Sequence, residues 1–538
     1  MRVLLLCDGG GQLGVGHVIR SLALAEAAVA AGHDVVVAGR FEGSFVLAQL
    51  AAARVEVVQL AASAGDGDIQ PFIDAVRSMR PDVLHIDSYD APGRIGELVA
   101  SGGEADLGNV VLSNMEDGLF GRRPADVVID PTFGAELSPR PDDGSPWLLR
   151  GSRYAPVRQR VMDARQRSED EAADAAVDDT AADRGASGSV LVVMGGTDPV
   201  GLAPAVVELL ARTGLPLEVT VIAVGENATL VSAAALGSRL SMKILAPVDD
   251  LAAMMARQDL VISAAGTSVW ELCCIGVPMA VVWAVDNQRE GYDRVVAAGA
   301  ALGLGAGPEM VGPEPRGDGG AVALLRTALT DSRIRADLSL AGRHIVDGLG
   351  AWRAVRTWEQ ALRVGRSAHP EAAKQGSSNR LTMRPAGRQD ARLLWVWRND
   401  PVTRASSRNG DLIPWVEHVA WLETSLVRED RMLLLVEDEV GPVGTVRWDR
   451  DREGEWEVSI TLAPDRRGQS LARPVLRAAE VAVSEGTRSG GAEVAAYLAA
   501  VHVDNGASMR LFESSAYLPD LPPDAGGFMR FRKAARVA

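Results

Sequence analysis

VLLLCDGGGQLGVGHVIRSLALAEAAVAAGH, residues 3–33, passes from five apolar residues through a glycine-rich turn into an alanine- and leucine-rich helix. The apolar run is too short for a signal-peptide core and ends at Asp8, so it reads as a first β-strand. The turn behind it lets backbone N–H groups approach a phosphate or a sugar closely, with Gly14 and Gly16 as the residues nearest the helix. His17 falls at the helix start, where the positive end of the macrodipole disfavours imidazolium, and a neutral ring can accept a proton. Packing of that ring in the turn is the plainer alternative. Arg20 is left open between a substrate contact and a surface charge.

Outward from this stretch the same pattern recurs. Apolar runs at 34–39, 83–87, 110–113 and 126–130 are spaced to leave room for helices, as in a parallel sheet covered on both faces. Eight acids against three arginines fill 163–188, which reads as a solvated acidic linker after a first domain at 1–162. The strand–helix pattern restarts with SVLVVMGG (189–196) and runs to 365 as a second α/β domain. Residues 366–378 (RSAHPEAAKQGSS) read as a connector. From 379 to 538 the character changes: tryptophans stand at 395, 397, 415, 421, 448 and 456, and closely spaced strands suggest an antiparallel α+β domain. Core packing is the expected use of most of those tryptophans.

A chain of 538 residues with 47% hydrophobic and 23% charged residues is a multidomain globular protein. Its net charge of −16 argues against nonspecific nucleic-acid binding. Three cysteines, Cys7, Cys273 and Cys274, have neither the number nor the spacing of a disulfide framework or a zinc site, so a reducing cytoplasmic setting and no metal are expected. No apolar run approaches a membrane span.

In the second domain VVMGGTDP (192–199) is a strand with a glycine turn, and ISAAGTSVWELCCIGVPMAVV (262–282) is a strand, a small-residue turn and a helix. Ala265, Gly266, Thr267 and Ser268 would offer N–H and hydroxyl donors to a diphosphate. Glu271 follows one turn later. Asn287 and Gln288 lie just past a strand's carboxyl end, where ligands sit in open α/β sheets. Asp87 and Asp198 are strand-end carboxylates as well, but acids on loops are common, and neither earns a role on that ground.

CDGGGQLGVGHVIR (7–20) resembles the opening of the UDP-sugar hydrolases of pseudaminic acid biosynthesis, which are related to spore-coat polysaccharide proteins and similar to GT-B glycosyltransferases. The resemblance implies two Rossmann-like domains in a GT-B arrangement. It makes His17 the base that activates water and Tyr89 an active-site tyrosine. Gly14, Gly16, Arg20, Gly195, Gly196, Thr197, Ala265, Gly266, Thr267 and Ser268 become UDP-sugar contacts. Glu271 then holds the ribose hydroxyls, and Asn287 and Gln288 contact the substrate.

The last domain, with WRN (397–399), EHVAWL (417–422), APDRRGQSLA (463–472) and DNGASMRLFE (504–513), looks like a GNAT acetyltransferase and resembles the amino-sugar N-acetyltransferase of the same pathway. That implies acetyl-CoA as cosubstrate, held by Leu462, Arg467, Gly468, Ser470, Ala472, Asn505 and Ser508. Ser470 stands where relatives carry glycine, and Phe512 where many have a tyrosine that protonates the leaving thiolate. The resulting expectation is a bifunctional enzyme that acetylates a UDP-amino sugar and releases UDP from the product. A GT-B glycosyltransferase with a lipid or glycan acceptor, and a noncatalytic sugar-nucleotide binder, are the alternatives.

Overall fold

Strand β1 (Arg2–Cys7) is buried from Val3 onward, because it is the middle of a sheet sandwiched between helices. A computed structural model of the chain describes residues 1–10, 15–60, 70–88, 110–116, 122–177, 188–195, 198, 200–310, 319–365, 381–452, 454–489 and 493–535. The chain falls into two compact units, Met1–Ala361 and Leu362–Ala538.

The first unit contains two parallel sheets. In the first, β1 is followed by β2 (Asp34–Gly39), β3 (Glu56–Gln59), β4 (Val83–Asp87), β5 (Val111–Met115), β6 (Val127–Asp130) and β7 (Trp147–Arg150), ordered β3-β2-β1-β4-β5-β6-β7. In the second, β8 (Gly188–Val193), β9 (Leu217–Ile222), β10 (Leu240–Leu245), β11 (Leu260–Ala264), β12 (Met279–Trp283) and β13 (Leu302–Ala306) are ordered β10-β9-β8-β11-β12-β13. Both are doubly wound, and strand order reverses beside the first strand of each, between β1 and β4 and between β8 and β11. Ligands of such sheets sit at the carboxyl ends of the strands at that reversal. This pair of Rossmann-like sheets is the GT-B fold the resemblance implied.

The expected acidic linker is corrected in its first half. Gln159–Val177 is a helix whose Val161 and Ala164 are fully buried in the core of the second sheet's domain, while Asp163, Asp170 and Glu171 are exposed and Arg165 bonds Glu169. Residues 178–187, and the connector at 366–378, lie outside the described residues. At the other end of the second domain, helix Gly350–Val364 packs back on the first sheet. Trp358 there is fully buried and donates from Nε1 to Ser113 Oγ at 2.9 Å. The buried Arg353 bonds both Arg153 O (2.6 Å) and Asp347 (2.6 and 2.8 Å).

The second unit holds β14 (Thr382–Pro385), β15 (Arg431–Asp438), β16 (Gly441–Arg452), β17 (Glu455–Leu462), β18 (Ala496–His502), β19 (Leu518–Leu521) and β20 (Phe528–Ala534), ordered β14-β15-β16-β17-β18-β20-β19. All neighbours are antiparallel except β17 and β18, which run parallel and pair only from Glu455 to Glu457. Beyond Glu457 the two strands part, leaving the β17 edge open. Trp397, Trp448 and Trp456 are buried, as core packing required; Trp415 is exposed.

Candidate active sites

Two clefts gather the candidate residues, one in each unit. The first, of about 570 Å³, lies between the two parallel sheets of the first unit. Its wall on the first-sheet side comes from the start of helix Gly16–Ala30, and its opposite wall from the turn after β11. A β-carbon built on Gly16 would stand 3.5 Å from Thr267 Cγ2 and 3.6 Å from its Oγ1. The two strand-order reversals therefore face each other at this point.

His17 and Arg20 sit three residues apart on one face of that helix, so both reach one group. That group is Asp87, the last residue of β4. His17 Nδ1 lies 2.9 Å from Asp87 Oδ1, and Arg20 donates from Nε to Oδ2 at 2.5 Å and from Nη2 to Oδ1 at 2.6 Å. Burial of Asp87 opposes ionisation, but the Arg20 guanidinium and His17 outweigh it and hold the carboxyl well below the usual range. An ionised carboxylate only accepts hydrogen bonds, so Nδ1 carries the proton and, in the neutral ring, Nε2 carries the lone pair. Sequence reading set Asp87 aside. Its signal was the position of a carboxylate at the end of the strand next to β1, opposite an i, i+3 pair of basic residues.

On the facing wall, Ala265, Gly266, Thr267 and Ser268 lead into helix Ser268–Ile275, which no side chain caps. Gly195, Glu271 and Gln288 line the same cleft, and Gln288 Oε1 accepts from Ala284 N at 2.9 Å. Asn287 lies in the 3₁₀ turn Asp286–Gln288. Gly14, Tyr89, Gly196 and Thr197 lie outside the described residues. Asp198 also lines the cleft, where its two oxygens accept from Leu202 N and Ala203 N, each at 2.9 Å; its work is that of a helix cap.

Glu271 is half-buried. Burial pushes its carboxyl up to about 7, against the pull of Arg160 and Arg158. Both arginines line the cleft and were missed from sequence: Arg158 bonds Glu26 (2.6 Å) and Gln49 (2.9 Å), and Arg160 bonds Gln49 (2.9 Å). Because the folded-state value of Glu271 lies above its ordinary 4.5, the group subtracts stability increasingly as pH rises from about 4.5 to about 7, and constantly above. Glu271→Gln is expected to raise the melting temperature at pH 8 and leave it unchanged at pH 4.5. Equal melting shifts at both pH values would contradict this.

The second cleft, of about 770 Å³, opens where β17 and β18 part. Leu462, Arg467, Ala472, Asn505 and Ser508 line it, as the resemblance implied for acetyl-CoA. Gly468 and Ser470 shape the turn, with φ of +75° and +57°. The glycine that Ser470 replaces is thus in the left-handed region, and serine is strained there. Asn505 has a structural duty too: its Oδ1 accepts from Ser508 N at 3.1 Å at the start of helix Gly506–Glu513. Arg467 pairs with Asp400 (2.7 Å) and Thr403 (2.7 Å).

Phe512 lines the cleft, packed edge-on against Tyr517 at 5.0 Å. Tyr517 is fully buried and donates to Glu480 Oε1 at 3.0 Å, so it does not stand in for the missing tyrosine. Glu457, at the point of parting, and His418 also line this cleft. Burial raises the Glu457 carboxyl despite Arg408, and lowers His418.

Comparison with known proteins agrees with this division. Residues 190–305 match the glycosyltransferase family 28 C-terminal domain, and residues 380–516 match the acetyltransferase (GNAT) domain. An uncharacterised protein of Methanocaldococcus jannaschii is 20% identical over 485 residues, covering 86% of each chain. The spore coat polysaccharide biosynthesis protein SpsG of Bacillus subtilis is 33% identical over 111 residues, 21% of this chain and 31% of that one. Among solved structures, MurG of Acinetobacter baumannii is 17% identical with a TM-score of 0.46, covering 67% of this chain and 100% of its own. Spermidine N-acetyltransferase of Vibrio cholerae, solved with CoA and spermine, is 17% identical with a TM-score of 0.27, covering 29% of this chain and 96% of its own. The chain carries a glycosyltransferase-28-like domain and a GNAT acetyltransferase domain.

Proposed function

We propose that the first unit is a UDP-sugar hydrolase acting on a UDP-diacetamido-trideoxyhexose in pseudaminic-type acid biosynthesis, and that the second unit N-acetylates the UDP-amino sugar that precedes it. The observation that carries the first half is the Asp87–His17 pair at the cleft, opposite the turn at 265–268. Asp87 holds the ring so that Nε2 takes a proton from water as the oxygen attacks the anomeric carbon. The bond from that carbon to the phosphate oxygen breaks, and UDP departs with the charge that the N-terminus of helix Ser268–Ile275 stabilises. Ionised Glu271 would accept from the ribose hydroxyls.

For acetyl transfer, the open β17 edge and the turn at 467–472 fit acetyl-CoA, which supplies the acetyl group. Glu457 and His418, which line this cleft, would take the proton of the attacking amine. The amine nitrogen bonds to the acetyl carbon, the carbon–sulfur bond breaks, and the coenzyme leaves as thiolate and takes up a proton.

The match of 190–305 to a glycosyltransferase domain favours a second reading, in which an acceptor alcohol replaces water. Incubating the protein with UDP-diacetamido-trideoxyhexose decides between them. Hydrolysis yields free UDP and reducing sugar without any acceptor; UDP release only after a lipid or glycan acceptor is added sinks the hydrolase reading.

A further inference from the structure

The loop that leaves β6 of the first sheet is a compact turn at 131–138. Asp130 Oδ1 accepts from Thr132 N (3.2 Å), Ala135 N donates to Thr132 O (3.0 Å), and Arg150 donates to Ser138 O (3.0 Å). Within this turn Phe133 is 7% exposed, and it belongs to the buried cluster of the second sheet's domain, with Val269, Trp270, Val295 and Ala300. Arg294, on helix Arg289–Ala297 of that domain, closes over the turn. Its Nη1 donates to Phe133 O, and its Nη2 to Ser138 Oγ at 2.9 Å and to Glu290 Oε1 at 2.5 Å. Gly134 lets the guanidinium come this near: its φ is +68°, and a β-carbon there would stand 3.2 Å from Arg294 Nη1.

A second join repeats the arrangement. Gln49, 2% exposed on helix Ser44–Ala52 of the first half of the unit, accepts at Oε1 from Arg160 Nη2 at 2.9 Å. Arg160 Nη1 donates in turn to Asp249 O of the second half. Phe133, Gln49 and Arg160 all line the cleft that holds His17. Both joins therefore bridge its two walls. Parting the walls would carry an aromatic ring from an apolar core into water and leave the buried Gln49 amide without its donors, which opposes any such motion.

We propose that Phe133 and Arg294 form a fixed strut that sets the width of this cleft, so that a nucleotide enters and leaves without rotation of one half on the other. They act as positioning residues, through the spacing between His17 and the turn at 265–268. The strut itself is independent of the hydrolase reading; its effect on turnover rests on that reading.

The spacing can be measured directly. Cys7, Cys273 and Cys274 are buried, so spin labels can be carried by Leu47→Cys in the first half and Leu230→Cys in the second, at positions 50% and 46% exposed. Pulsed electron paramagnetic resonance on the full chain should give one narrow distance that UDP shifts by less than about 2 Å, the range of preorganised sites. Phe133→Ser combined with Arg294→Ala should broaden that distribution, and Phe133→Leu should keep it narrow. A larger shift on adding UDP to the otherwise unaltered protein overturns the proposal, and so does a folded double variant with an unaltered distribution. Should the double variant not fold, Arg294→Ala alone is read in the same way. In UDP release the double variant should lose on the order of 10²-fold in kcat, the cost of about 1 Å of misplacement, with UDP affinity, assigned to the second half alone, within about twofold. An unchanged kcat in a variant whose distances have broadened removes the positioning role. If the unaltered protein releases no UDP, the hydrolase reading fails while the distances in the variants still decide the strut.

Discussion

His17→Ala is expected to lower kcat for UDP release by roughly 10³-fold while leaving uridine affinity within about twofold, since positioned general bases contribute about 10²–10⁴. The argument is geometric. The ring stands in the cleft beside the Thr267 turn, its Nδ1 is committed to Asp87, and alanine leaves water without a proton acceptor. Uridine contacts are assigned to the opposite wall, so binding and chemistry separate. Loss of uridine binding together with kcat would instead give His17 a place in the nucleotide site.

Asp87→Asn should cost about 10²–10⁴ in kcat, because a carboxamide no longer dictates which ring nitrogen carries the proton. It should also destabilise the fold by about 3–5 kcal/mol, the usual effect of removing one partner of a buried ion pair, here Asp87 and Arg20. Asp87 acts through His17, so the readout that distinguishes positioning from mere folding is kcat per folded molecule at unchanged KM, with partial recovery in Asp87→Glu. Equal kcat in the folded fraction would reduce Asp87 to a structural counter-ion. The carboxyl is held below its ordinary value, so the stability it contributes is complete above about pH 4 and is lost only as pH falls through its folded-state value. The Asp87 carboxylate therefore keeps its charge from pH 5 to 8.

Strands buried on both faces were legible because their sequences are continuous apolar runs: VLHID and DVVVAG match β4 and β2 residue for residue. Edge strands were not. β3 reads EVVQ with only Val58 half-buried, and β10 alternates as LSMKIL, so neither makes a run. The acid-rich helix Gln159–Val177 was hidden by its composition, since its buried Val161 and Ala164 are small and few. In the site, glycine turns and His17 could be read from local spacing. Asp87 and Arg158 could not, because their partners lie far away in the chain and only folding brings the charges together. The cost of serine in place of glycine at 470 became legible only with the backbone, whose φ there is positive.

The buried Arg353 grips both places where the chain passes between the two sheets, near residues 153 and 347. One guanidinium thus ties the outgoing and the returning crossing to each other, so neither can shift without breaking hydrogen bonds to a buried charge.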